Sequence, residues 1–222
     1  MIPPGYNLRL VVIGASAGGV SALGDILPHL PTDFGPPVVV ILHQPAARHS
    51  LLADLFSRKC RLTVLEAYDK APALAGHVYF SAPDYHLMIE RDLSFALSID
   101  EPVNFSRPSI DVLLQSAAAS VGEGVLAIIL TGNNSDGALG LKAVRQAGGL
   151  GWVQRPDSAQ AATMPRSAIE VAGADAVLSL DEIAKRLAAL ARKNGWLDEA
   201  ERMAKGTAAG GTTNDRIRDG GY

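Results

Sequence analysis

The sequence predicts an α/β fold: a doubly wound, mostly parallel sheet flanked by helices, with an antiparallel hairpin inserted. Three observations carry this. Short runs rich in Val and Ile, apolar at every position, alternate with longer stretches of helical periodicity, as in a parallel sheet covered on both faces. A small-residue turn, Gly14-Ala15-Ser16-Ala17-Gly18-Gly19, joins the first such run to the first helix. Between His77 and Ile99 three strand-like runs follow one another with gaps too short for crossover helices.

Taken in order, Leu8 to Ile13 reads as a strand and Gly18 to Leu27 as a helix. Val38 to Leu42 is a second buried strand, Ser50 to Lys59 a helix, and Leu62 to Leu65 a third strand. His77 to Phe80, Tyr85 to Glu90 and Phe95 to Ile99 are expected to form the antiparallel insertion, with Arg91-Asp92 at a turn. Ser106 and Pro108 then suit the cap and first turn of a helix. Val125 to Leu130 is a strand leading to a helix from Asp136 to Gln146. Gly151 to Val153 and Ala176 to Leu178 read as short strands. Asp181 to Arg192 is a final helix with Ile183, Leu187 and Leu190 on one face. Composition shifts after about Lys193: Leu197 to Lys205 suits one marginal helix, and Gly206 to Tyr222, rich in Gly, Thr, Asp and Ala with no periodic apolar face, reads as a flexible tail.

Composition narrows the function. The 222 residues suffice for one domain with a sizeable core, and 48% are hydrophobic against 19% charged. The net charge of −3 argues against a general nucleic-acid or anionic-membrane binder. The lone Cys60 leaves no internal disulfide framework and no cysteine-built metal site. There is no HExxH motif, and neither a metal nor a cofactor is expected. No run approaches the roughly 20 apolar residues of a membrane helix, and no secretory signal is recognised. A cytoplasmic protein, not inserted in a membrane, is the expectation.

The turn around Ser16 admits two functional readings beside a purely structural one. As a G-x-S-x-G elbow it would lift the serine hydroxyl above the sheet edge, next to a helix N-terminus suited to an oxyanion. As a degenerate dinucleotide loop it lacks the middle glycine, and His43-Gln44 stand where an acidic ribose ligand is expected. His43 ends the second buried strand, on the sheet edge that carries Ser16 and where open α/β folds bind ligands. Of the five histidines, His29, His49 and His77 read as surface or core residues, and His86 as a weaker supporting residue. Asp136 lies where the loop after Leu130 enters a helix. Its plain role there is a helix cap. Its functional role would be to orient His43.

These segments together resemble the catalytic domain of the chemotaxis protein-glutamate methylesterase (CheB) family. The resemblance rests on Val12-Ile13-Gly14-Ala15-Ser16 with Gly18-Gly19, His43 with Pro45, Glu66-Ala67, Gly76-His77-Val78-Tyr79 and Ala82-Pro83-Asp84-Tyr85-His86. It continues through Arg107-Pro108-Ser109-Ile110-Asp111-Val112-Leu113, Ile129-Leu130-Thr131-Gly132, Ser135-Asp136-Gly137-Ala138 and Met164-Pro165-Arg166. It runs from near Leu10 to about Leu190, which with the composition shift divides the chain into a catalytic domain over residues 1–193 and a tail over 194–222. It also implies hydrolysis of glutamate γ-methyl esters on the cytoplasmic region of chemoreceptors, with deamidation of receptor glutamines as a second activity. The nucleophile, base and acid fall on Ser16, His43 and Asp136, and the backbone N–H groups of Ala17 and Asn133 on the oxyanion donors. A histidine base would make kcat/KM fall as the pH drops through about 6–7.

The chain departs from the family pattern in places. Ala17 stands where the family usually has Thr, Leu42 and Gln44 flank His43 in place of Gln and Met, and Asn134 replaces a Gly. The first strand starts near Leu8, so the phosphorylatable receiver domain of many relatives is expected to be absent. Either the activity is then constitutive, or a separate polypeptide such as a response regulator or methyltransferase partner, or a fused domain split from this chain, controls it. A methylesterase-like binding module and a small-molecule esterase are the alternative readings.

Overall fold

The computed structural model describes residues 6–43 and 51–190. The elements run β1 (Leu10–Ala15), α1 (Gly19–Ile26), β2 (Val38–Leu42), α2 (Leu52–Ser57), β3 (Thr63–Glu66), β4 (His77–Phe80), β5 (His86–Ile89) and β6 (Phe95–Ser98). They continue with α3 (Ile110–Val121), β7 (Val125–Ile129), α4 (Ala138–Gln146), β8 (Leu150–Gln154), α5 (Thr163–Ala172), β9 (Ala176–Leu178) and α6 (Leu180–Leu190). Seven strands form one sheet in the order β3-β4-β2-β1-β7-β8-β9, and β5 and β6 form a separate two-stranded sheet. Every pairing in the large sheet is parallel and the small one is antiparallel.

The continuous apolar runs follow from burial on both faces. Val11, Ile13 and Ala15 of β1 face a core built with α1, α2 and α6, including Leu23, Phe56 and Leu187. Leu10 and Val12 face the opposite core, built with α3, α4, α5 and the hairpin. All five residues of β2 are buried. Each such side chain contributes about 1.5–3 kcal/mol by leaving water. The edge strand β3 keeps Thr63, Leu65 and Glu66 exposed and buries Val64, because one of its faces lacks a covering helix.

Two sequence expectations are corrected here. His77–Phe80 is not part of the antiparallel insertion: β4 lies in the large sheet, parallel to both β2 and β3. Its Val78 and Phe80 pack in the core of α1 and α2, with Phe80 stacked on Phe56 at 5.2 Å, a contact made across the chain and invisible to local spacing. The cap of α3 is Ser109 rather than Ser106, its hydroxyl accepting from the Val112 N–H. Pro108 thus precedes the cap instead of occupying the first turn. The hairpin is confirmed, but its connection is longer than Arg91-Asp92 alone. Residues 90–94 separate the paired Ile89 and Phe95, and Asp92 holds the Ser94 N–H and hydroxyl. The proposed tail, and the expected start of α2 at Ser50, lie outside the described residues.

The chain order places β1 at the point where connections diverge. From β1 the chain moves to β2 and outward to β4 and β3, whereas β7, β8 and β9 extend on the other side. The loops leaving β1, β2 and β7 therefore meet at the carboxyl edge of the sheet around a topological switch point, where open α/β sheets form crevices.

Candidate functional site

Ser16 follows β1 directly, and its N–H donates to the Thr131 carbonyl at 2.9 Å. Because Ala15 pairs with Leu42, the next residues, Ser16 and His43, leave neighbouring strands side by side. The His43 N–H donates to the Ala15 carbonyl at 3.0 Å. The turn after Ser16 joins β1 to α1. Its positive φ, +80°, falls on Gly18 and not on the serine, and a side chain there would press on Gln160. Ser16, Leu42, His43, Lys59 and Gln160 line an open cleft of about 680 Å³.

Asp136 reaches the same edge from the loop after β7. It is fully buried, while the His43 side chain keeps 11% of its surface exposed. One carboxylate oxygen, Oδ2, accepts from His43 Nε2 at 2.9 Å and from the Ile110 N–H at 2.7 Å. The other, Oδ1, accepts from Ser109 Oγ at 2.8 Å, Asn104 Nδ2 at 3.1 Å, and the N–H groups of Asp111 and Gly137 at 3.1 Å each. Burial alone would push the carboxyl upward. The hydrogen bonds from His43, Ile110, Asn104 and Asp111 outweigh it and hold Asp136 below the usual carboxylate range. Asp136 does cap a helix, but not its own. α4 begins after Gly137, in a left-handed conformation at φ +93°, and Asp136 instead satisfies the first N–H groups of α3.

Asn134 completes the surroundings of His43. Its Oδ1 accepts from the Asp136 N–H at 3.2 Å and its Nδ2 donates to His43 Nδ1 at 3.3 Å. The backbone donor fixes which end of the amide faces the imidazole. With the amide in this orientation, Nδ1 faces a donor in Asn134 and Nε2 faces an acceptor in Asp136. No hydrogen bond joins Ser16 to His43 among the described residues.

Thr131 ties the three loops together. Its hydroxyl donates to the Ala17 carbonyl at 2.8 Å and accepts from the Ala161 N–H at 2.9 Å. Its own N–H donates to Gln154 Oε1 at 2.8 Å. Ala17 and Asn133 are exposed, and among the described residues no acceptor engages either N–H. No group of three or more His, Cys, Asp or Glu is placed to hold a metal ion among the described residues.

This wiring of loops after β1, β2 and β7 matches a known family. The CheB methylesterase model covers residues 11–187. The chain belongs to the CheB methylesterase family. A crystal structure of the Thermotoga maritima CheB methylesterase catalytic domain superimposes with a TM-score of 0.79 at 34% identity, covering 82% of this chain and 98% of that one. A Leptospira interrogans protein, provisionally named protein-glutamate methylesterase/protein-glutamine glutaminase, is 46% identical over 85% of this chain and 97% of its own. Enzymes of that name from Chromohalobacter salexigens and Xanthomonas oryzae pv. oryzae are 37% and 42% identical over 84% and 82% of this chain. The chain spans about half of their length, 53% and 51%.

Within the CheB frame, the structure brings Ser16, His43, Asp136, Ala17 and Asn133 to one edge. It adds Asn104, which the sequence did not single out. Asn104 bridges Asp136 and Asp111, donating to Asp111 Oδ2 at 2.9 Å. Asp111 is itself buried and pushed upward by that burial and by the Asp136 charge, against a hydrogen bond from the Gly140 N–H. His86 is buried behind the site, accepting the Ser109 N–H on Nδ1 and facing the Glu101 carbonyl with Nε2. His29 and His77 are not at the sheet edge of the cleft, and His49 lies outside the described residues. Asn104 lies 32 residues before Asp136, and no periodicity marks it. Asn134 stood out in the sequence only as a departure from glycine. Among the described residues no helix is long and apolar enough to cross a membrane.

Proposed function

We propose that this chain is a serine hydrolase that removes methyl esters from the γ-carboxyls of chemoreceptor glutamates, releasing methanol. Ser16 is the nucleophile, His43 the base and Asp136 the carboxylate that orients it. The observation that carries this reading is the 2.9 Å contact of buried Asp136 with His43 Nε2, on a histidine beside Ser16 at the strand ends.

With Nε2 committed to Asp136, the proton acceptor is Nδ1. As Ser16 Oγ attacks the ester carbonyl, its proton passes to Nδ1, and Asp136 stabilises the imidazolium that forms. The oxyanion is received by the free N–H groups of Ala17 and Asn133. Losing one such donor typically costs about 100–1,000-fold. The tetrahedral intermediate collapses to a γ-glutamyl ester of Ser16, and His43 returns its proton to the departing methoxide, giving methanol. Water, deprotonated by Nδ1, then cleaves the acyl-enzyme to glutamate and free Ser16. A receptor glutamine enters the same sequence with ammonia as the leaving group. The names of the Chromohalobacter and Xanthomonas relatives, which pair methylesterase with glutaminase, support both activities. The partner is the cytoplasmic region of a methylated chemoreceptor.

The test is methanol release from methylated chemoreceptor membranes by the wild type and by Ser16→Ala. Release that falls at least about 10,000-fold in the variant is expected for a serine nucleophile. No release by folded wild type overturns the receptor assignment. Hydrolysis of activated aryl esters would then indicate a small-molecule esterase, and inertness toward both a binding module.

A further inference from the structure

We infer that the Asn134 side chain occupies the lone pair of His43 Nδ1 in the free enzyme, so that Ser16 is activated only when this amide is displaced. The inference rests on the serine-hydrolase reading above. It assigns a positioning residue that acts through the base.

Two hydrogen bonds hold the amide in place. Asn134 Oδ1 accepts the Asp136 N–H at 3.2 Å, and Nδ2 donates to His43 Nδ1 at 3.3 Å. The first orients the second, because an amide turned the other way would set its NH2 against a backbone donor. Asp136 takes the opposite edge of the ring at 2.9 Å. Both ring nitrogens of His43 are thus engaged, one as donor and one as acceptor. An imidazole nitrogen has a single lone pair in the ring plane. While Asn134 holds it, the Ser16 hydroxyl has no strong acceptor on His43, in keeping with the absence of a Ser16–His43 hydrogen bond among the described residues.

The bond is also one that can be given up. At 3.3 Å it is longer than the 2.9 Å bond on Nε2, and Asn134 is half-buried whereas Asp136 is fully buried. A substrate acyl group entering beside Asn133 offers the Asn134 NH2 a competing acceptor. Releasing Nδ1 lets Ser16 donate to it. When Nδ1 takes the serine proton it becomes a donor, and the Asn134 NH2 can no longer face it. The amide must therefore be elsewhere during acylation.

Two readouts test this without a methyl ester. In ¹⁵N spectra of ring-labelled protein, with the His43 signals assigned by their loss in His43→Gln, the Nδ1 resonance should move downfield in Asn134→Gly, as for a nitrogen losing a donor. Inactivation of Ser16 by a fluorophosphonate should quicken about two- to tenfold in the same variant, the span expected for one net hydrogen bond. Asn134→Ala, which keeps a Cβ and a stiffer loop, should reproduce both changes. An unmoved Nδ1 resonance in the two variants overturns the inference, and so does an unchanged rate of inactivation in variants that still react. If the wild type resists the reagent and also releases no methanol, the serine mechanism fails, and the resonance still decides the place of Asn134.

Discussion

Asp136 accepts the backbone N–H of Ile110 at 2.7 Å on the oxygen that also receives His43 Nε2. One buried carboxylate therefore caps α3 and orients the candidate base. The helix-capping contact and the contact with His43, alternatives in the sequence, are made together in the fold.

Asp136→Asn should consequently lose both stability and activity. Six donors converge on the carboxylate, and an asparagine would turn an NH2 toward some of them. A buried donor left without a partner costs about 1–3 kcal/mol. Urea unfolding should register a loss of that order, alongside a large drop in methanol release. Unchanged stability with lost activity would mean the carboxylate serves His43 alone.

The two neighbouring acids should give the stability curve opposite slopes. Asp111 is raised in the folded state, so between its folded value and the ordinary unfolded value near about 4 the native protein binds more protons. Stability from Asp111 therefore rises as the pH falls through that window. Asp136 is lowered, so its contribution is complete above about pH 4 and is lost as the pH falls toward its folded value. Denaturation midpoints between pH 2 and 7, as about unit steps in pH, should lose the first trend in Asp111→Asn and the second in Asp136→Asn. Parallel curves for wild type and both variants would refute this.

Thr131→Val keeps the side-chain shape but removes the hydroxyl that joins the Ala17 carbonyl to the Ala161 N–H. The cost should be about 1–3 kcal/mol. Ala17 and Asn133, which flank this tie, would be less well placed for a developing oxyanion. A fall in kcat of about 10- to 100-fold with KM little changed is expected. A rise in KM at constant kcat would instead place the effect in substrate binding.

Gly137→Ala tests the turn that aims Asp136. The residue has φ +93°, and an added Cβ would lie 2.8 Å from both Ile110 Cγ2 and Ile129 Cδ1. Left-handed backbone costs a side-chain-bearing residue about 1–2 kcal/mol, and overpacking adds roughly 1–3 kcal/mol. Thermal unfolding should shift downward, and activity should fall with the displacement of Asp136. A variant as stable and active as wild type would show that the turn adapts.

The sequence by itself determined the parallel α/β architecture, because strands buried on both faces must be apolar throughout, as in Val38 to Leu42. It also marked Ser16 and His43, since each directly ends such a strand, and the ends of adjacent parallel strands emerge together. It misplaced β4, whose four residues, HVYF, carry no sign of whether the neighbouring strand runs parallel or antiparallel. Only tertiary structure decided that Asp136 caps α3 rather than α4, and that Asn104, Thr131 and Asn134 complete the surroundings of the site. These contacts span 27 residues from Ser109 to Asp136 and 91 from His43 to Asn134. Local propensity is set by neighbours along the chain, whereas these partners meet only after the sheet has brought three loops to one edge.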